Sequence, residues 1–151
     1  MNTSFSVALK YGLYVTISLI AFFLILRLFN LHENPWLRLF NGAFMSAGIY
    51  FAIKHYKSKT QNDFSYINGA KTAIVTGFIA TIVFTIFMAI YMFHVDTAFT
   101  EKLLGSNFVD YEVGANILLF IIFIEGLASS VVLALAFMQI FKKSHNIPQN
   151  T

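Results

Sequence analysis

In the stretch LLFIIFIEGLASSVVLALAF, residues 118–137, Glu125 is the only formally charged side chain. A carboxylate in such a setting has three chemical uses: to relay a proton, to hold a cation, or to fasten its own segment to a neighbour. If the surroundings are hydrocarbon, the charge costs about 2.5–3.5 kcal/mol, so the group either carries a proton or finds a partner. Counting along a helix from residue 117 places Glu125 about 12 Å inside its apolar run. By the same count Thr85 lies level with it and Asn41 somewhat shallower. Arg38 and Arg27 are shallower still, with side chains long enough to reach along a bundle. Glu125, Asn41, Thr85 and Arg38 therefore form the candidate intramembrane polar site. With no second acid, lysine or histidine at that depth, a complete proton relay is not visible. A structural hydrogen bond or ion pair between the second and fourth spans stands beside the functional reading.

Little else carries chemistry. His32, His55, His94 and His145 are scattered over different flanks. They lack the HxxxH or HxxE spacing that would bring metal ligands together. The absence of cysteine excludes disulfides, thiolate metal sites and cysteine nucleophiles. No phosphate-binding loop, dinucleotide fingerprint, nucleophile elbow or HExxH occurs. The expectation is a non-enzymatic protein with no metal, no cofactor and no nucleic-acid partner.

The elements that hold Glu125 follow from composition. Apolar residues make up 58% of the 151-residue chain and charged ones 11%, with a mean hydropathy of +0.70. Soluble domains sit near 45–50% apolar and about 25% charged. A water-soluble fold of this size could not hide so much apolar surface, so the lipid bilayer is its first partner. Four apolar runs stand out, at residues 11–29, 36–53, 72–93 and 117–141. Each approaches the ~20 residues that cross a ~30 Å hydrocarbon core. Backbone groups in lipid must be satisfied within the segment, and the alternation of a barrel strand is missing, so all four read as helices. The expected fold is all-α: residues 1–151 as a single four-span membrane domain with short loops. The first run is too long for a signal-peptide core and no small-x-small cleavage site follows, so it reads as a retained anchor.

Basic residues set the orientation. Lys10, Lys54, Lys57, Lys59, Lys71, Lys142 and Lys143 fall on one alternating set of flanks; Arg27, Arg38 and Lys102 fall on the other. The positive-inside rule then puts both termini in the cytoplasm. Tyr11, Tyr14, Trp36, Tyr56, Tyr91 and Tyr111 lie near the expected interfaces as an aromatic belt. Asp96 or Thr97 is placed to cap a short helix ending at Gly105. The lysines between the second and third spans also suit anionic lipid head groups, although topology alone accounts for them.

Small residues recur at helical spacing: Gly42, Ser46 and Ala43, Ala47; Ala73, Gly77, Thr81; and Gly126, Ser130. This small-xxx-small pattern lets helices approach closely, within one bundle or across a dimer face. Gly42, Ser46, Gly77, Gly126 and Ser130 are thus the candidate helix-packing residues. The second and fourth spans echo one another, Gly42 with Gly126, Ser46 with Ser130 and Ala52 with Ala136. A duplicated hairpin would explain the echo as parallel repeats, but small residues every four positions are common in membrane bundles and chance explains it better.

The opening LKYGL (residues 9–13), the exit AIKHYKSK (residues 52–59) and DFSYINGAKTAIVTGFIA (residues 63–80) come in a distinctive order. In these features, and in a last span ending in Lys-Lys, the chain resembles the domain-of-unknown-function 4199 family, four-helix inner-membrane proteins of Bacteroidota. The resemblance spans nearly the whole chain. It implies the same four-span architecture and brings no catalytic or binding residues with it. The functional expectation is a bacterial inner-membrane component of structural or assembly type, with itself or another membrane protein as partner. The alternative is a small transporter or channel subunit, proton-coupled through Glu125.

Overall fold

Helix α1 runs from Thr3 to Leu28 because its apolar residues continue on every side and no proline interrupts them. In the computed structural model it ends in a local stop signal. Asn30 takes a left-handed conformation (φ 55°), Leu31 N–H donates to the Leu26 carbonyl at 2.8 Å, and Asn30 N–H to that of Arg27 at 3.0 Å. This pair of bonds satisfies carbonyls that a helix end otherwise leaves open. The structure describes residues 3–31, 34–60, 63–96, 99 and 111–141; the short helix expected from Asp96 or Thr97 to Gly105 falls largely outside them, as do Lys142 and Lys143. A 3₁₀ turn, Pro35–Arg38, is capped by the Asn34 side chain, which accepts from Trp36 N–H. Helix α2 follows from Leu39 to Thr60, α3 from Tyr66 to Ile90, and α4 from Tyr111 to Phe141. A π-helical turn, Tyr91–Val95, continues α3.

The described residues are thus all-α with four helices, three of them long and apolar enough to cross a membrane: Thr3–Leu28, Tyr66–Val95 and Gly114–Phe141. The expectation of a fourth span at residues 36–53 needs correction. The helix starts only at Leu39, since residues 36–38 belong to the 3₁₀ turn. Between Leu39 and Lys54 the helix is apolar over about 23 Å, against a hydrocarbon core of about 30 Å. Lys54, His55, Lys57 and Lys59 then occupy its last two turns.

Contacts fix the arrangement. The Ser4 and Thr72 hydroxyls hydrogen bond at 2.8 Å, and Phe23 meets Phe87 and Tyr91 edge-on. Helices α1 and α3 are therefore parallel neighbours. Tyr11 against His55 and Phe22 against Phe44 make α2 antiparallel to α1. Gln139 reaches Tyr66 at 3.4 Å, which makes α4 antiparallel to α3. The start of α1, the end of α2, the start of α3 and the end of α4 consequently share one end of the bundle. Lys54, Lys57, Lys59 and Lys71 lie there, and it is called the basic end below. Helix α3 touches all three others, whereas α2 and α4 share few contacts; Tyr50 bridges them to Phe137 and Phe141 near the basic end. Toward the other, distal, end they part.

Large apolar residues face outward as well as inward. Phe120 and Val132 of α4 are each 64% exposed and Ile17 of α1 is 63% exposed. A helix apolar on all sides is suited to lipid rather than to water.

Candidate functional site

Where α2 and α4 part, the four helices enclose a cavity of about 240 Å³. Its two sides differ chemically. Helices α1 and α3 supply an aliphatic and aromatic wall that includes Leu19, Phe22, Phe23, Phe84 and Met88. Helices α2 and α4 supply most of the polar groups, Asn41 from one and Glu125 and Ser129 from the other, and α3 adds the Thr81 hydroxyl. Gly42 and Gly126 also line it, and Phe99, Leu26 and Leu37 close its distal end. Phe99 is held there by edge contacts with Phe23 at 5.9 Å and Tyr91 at 5.6 Å.

The opening lies on the α2–α4 side. Gly42 and Glu125 are exposed and Asn41 is half-buried. A side chain built at Gly42 would meet nothing within 4 Å. A carboxyl group and an amide thus sit at the mouth of a largely apolar chamber. Such a chamber, oily at the back and polar at the rim, is built to hold a small molecule with one polar group.

Of the four residues expected in the polar site, Glu125 and Asn41 come together on this cavity. Thr85 does not line it; its hydroxyl is buried on α3 with no hydrogen-bond partner. Arg38 lies in the 3₁₀ turn just before α2, and its side chain is outside the described residues. Sequence reasoning missed Ser129 as a rim residue. The signal was present, since Ser129 follows Glu125 by four residues and so shares its helix face.

The packing candidates divide differently. A Cβ at Gly77 would lie 2.5 Å from Ser130 Cβ and 3.2 Å from its Cα, so α3 and α4 touch backbone to side chain there. At Gly126 it would lie 2.6 Å from both Thr81 Oγ1 and Cγ2. Gly77, Gly126 and Ser130 are therefore engaged within the bundle, while Ser46 is half-buried and Gly42 borders open space. Gly12, against Ile79 and the Thr76 carbonyl, and Gly48, against Val15, make two further close approaches. Their signal was Ala8–Gly12–Thr16 and Gly48–Ala52, the same four-residue spacing. The echo between α2 and α4 does not extend to surroundings: Ala52 is buried and Ala136 exposed.

Most hydroxyls on the packed faces satisfy themselves. Thr16, Thr72, Thr76 and Ser130 each donate to the carbonyl four residues earlier, at 2.6–2.9 Å. Thr81, only 3% exposed, is an exception: its hydroxyl is buried without a hydrogen-bond partner. At the distal end the Arg27 guanidinium lies 5.0 Å from the Tyr91 ring centre, and the Tyr91 hydroxyl donates to Asp96 at 3.2 Å. Among the described residues, no group of three histidines, cysteines or acids is placed to hold a metal ion.

Residues 10–143 match a protein family described as "Protein of unknown function (DUF4199)". The chain belongs to this family. No curated protein and no solved structure matches it. Membership in DUF4199 therefore brings no assigned activity, and any functional reading of this DUF4199 chain rests on its own geometry.

Proposed function

We propose that the protein is a non-enzymatic integral component of a bacterial inner membrane, four helices deep, that assembles through the side on which α2 lies. The observation that carries this reading is the mismatch of α2 with lipid. It is a full helix, yet of the four described helices it alone falls short in apolar length for crossing by itself; it carries the half-buried Asn41, and Glu125 beside it is exposed. A polar rim facing hydrocarbon is expensive, and a protein partner or second copy covering it removes that cost. With Gly77 and Gly126 used inside the bundle, Ala43 and Ala47 are exposed small residues left on α2 for close approach. The lysines at the basic end support a cytoplasmic side for that end under the positive-inside rule, and with it for the start of α1 and the end of α4.

The chain has no cysteine, so single cysteines report cleanly. Ala47→Cys is expected to form a crosslink in native membranes while Val132→Cys, on the apolar face of α4, does not. No crosslink at Ala43 or Ala47 would count against assembly through α2. Cysteines at Lys59 and Trp36 should label from the cytoplasmic and opposite sides respectively.

A second reading is favoured by one specific feature, the position of Glu125 on the cavity rim. As a small transporter or channel subunit the protein would pass a proton or solute through that rim. Glu125→Gln would then abolish a flux in reconstituted vesicles with the protein still accumulating normally. Loss of accumulation instead would assign Glu125 to holding the bundle together.

A further inference from the structure

We infer that the cavity between the four helices is a binding site for a small uncharged amphiphile, a compact alkyl or aryl body carrying one O–H or N–H donor. The volume sets the size. An engineered cavity of about 150 Å³ admits benzene, so about 240 Å³ takes a molecule somewhat larger, with room for a short side chain. The back wall sets the body. Leu19, Phe22, Phe23, Phe84 and Met88 offer no hydrogen bonds and Thr81 brings a single hydroxyl, so water filling the back of that space would lack the two to four polar partners it needs. Rings and a thioether against a ring give favourable edge and sulfur contacts.

The rim sets the polar group. The Asn41 amide and the Ser129 and Thr81 hydroxyls on the lining each both donate and accept hydrogen bonds, and the Glu125 carboxyl stands beside them. A ligand O–H, which also does both, suits this mixed set better than an ether oxygen, which only accepts. A single polar group on the ligand is sufficient, because both rim residues come from the same side, α2 and α4. The opening beside Gly42 is the route in while the α2 side is uncovered, reached from the bilayer where such molecules concentrate. The site needs the bundle alone, and the assembly proposed above would close its entrance.

The probe is 4-propylphenol, with 4-propylanisole as its donor-free control. Binding is measured by ligand-observed NMR on the full chain in nanodiscs, with empty nanodiscs as the blank. The phenol is expected to bind saturably at one site per chain, at least about fivefold tighter than the anisole, which is the contribution of one hydrogen bond. Gly42→Leu fills the chamber at a position where a Cβ meets nothing within 4 Å, so it should fold and melt like the parent while losing the phenol. Equal binding of phenol and anisole would overturn the donor requirement and leave an apolar chain, such as a lipid tail, as occupant. Unsaturable uptake matching empty nanodiscs, or undiminished binding by a folded Gly42→Leu, would overturn the site itself.

Discussion

Thr81 isolates one energetic effect at a single position. Its hydroxyl is buried against Gly126 at the cavity wall and makes no hydrogen bond, unlike those of Thr72 and Thr76 on the same helix. Removing an unsatisfied buried polar atom while keeping the shape relieves its desolvation penalty. Thr81→Val is therefore expected to raise stability by about 1 kcal/mol, read as a higher melting temperature in detergent. Gly77 behaves oppositely. Any side chain there drives into Ser130, so Gly77→Leu should cost roughly 1–3 kcal/mol or more through forced separation of α3 and α4. Gly77→Leu melting like the parent would contradict the close approach described. The sequence marked Gly77, Gly126 and Ser130 by spacing alone. It could not separate them from Gly42, whose pattern is the same but whose neighbours are empty space. Spacing says which residues are small; only the tertiary arrangement says which are needed to be.

At the scale of elements, the ends of helices were the least legible. Apolar runs locate a helix, but a helix continues past the run as long as its backbone bonds are satisfied. Helix α1 begins at Thr3 and α4 at Tyr111, well before their apolar runs at residues 11 and 117. The end of α1 depends on Asn30, one of the few residue types that accepts a left-handed conformation at modest cost. Asn30→Val should lose about 1–2 kcal/mol and Asn30→Gly nearly nothing, with helix content followed by circular dichroism. Equal melting of the two would remove the left-handed stop from the account. The second apolar run misled for a related reason. Residues 36–53 have the length of a span, but the first three of them are spent on a 3₁₀ turn that composition does not announce. Lys57 belongs at this scale too. Its ammonium lies 5.6 Å from the Phe64 ring centre and 5.5 Å from that of Phe141, so it ties the α2–α3 connection to the end of α4. Lys57→Ala should loosen that corner by about 0.5–1 kcal/mol, seen as faster amide exchange near residue 64.

For the whole molecule, the abundance of apolar residues made an all-α membrane bundle legible from composition, because no water-soluble fold of this length could bury them. The order of the helices was not legible. Hydropathy gives no information about which helices adjoin, and the parallel pairing of α1 with α3 emerges only from contacts such as Ser4 with Thr72 and Phe23 with Tyr91. The cavity was invisible for the same reason, since its wall draws on four separate stretches. With so many large apolar side chains exposed, the protein is expected to stay dispersed only with an amphiphile present. Sedimentation after detergent removal measures this, and a monomer persisting in plain buffer would contradict the reading.

The π-helical turn at Tyr91–Val95 has a consequence for genetics. It contains one more residue per loop of backbone than an α-helix does, so it acts as a one-letter insertion held in place by its neighbours. Deleting a single residue inside it would let ordinary winding resume with little net rotation, because five residues of π-turn and four of α-helix cover nearly the same angle. Phe99 would then keep its place near Phe23 and Tyr91 at the distal end of the chamber. A frame-preserving loss of one codon should thus be tolerated here better than in the straight part of α3, where it would turn the rest of the helix by about 100°.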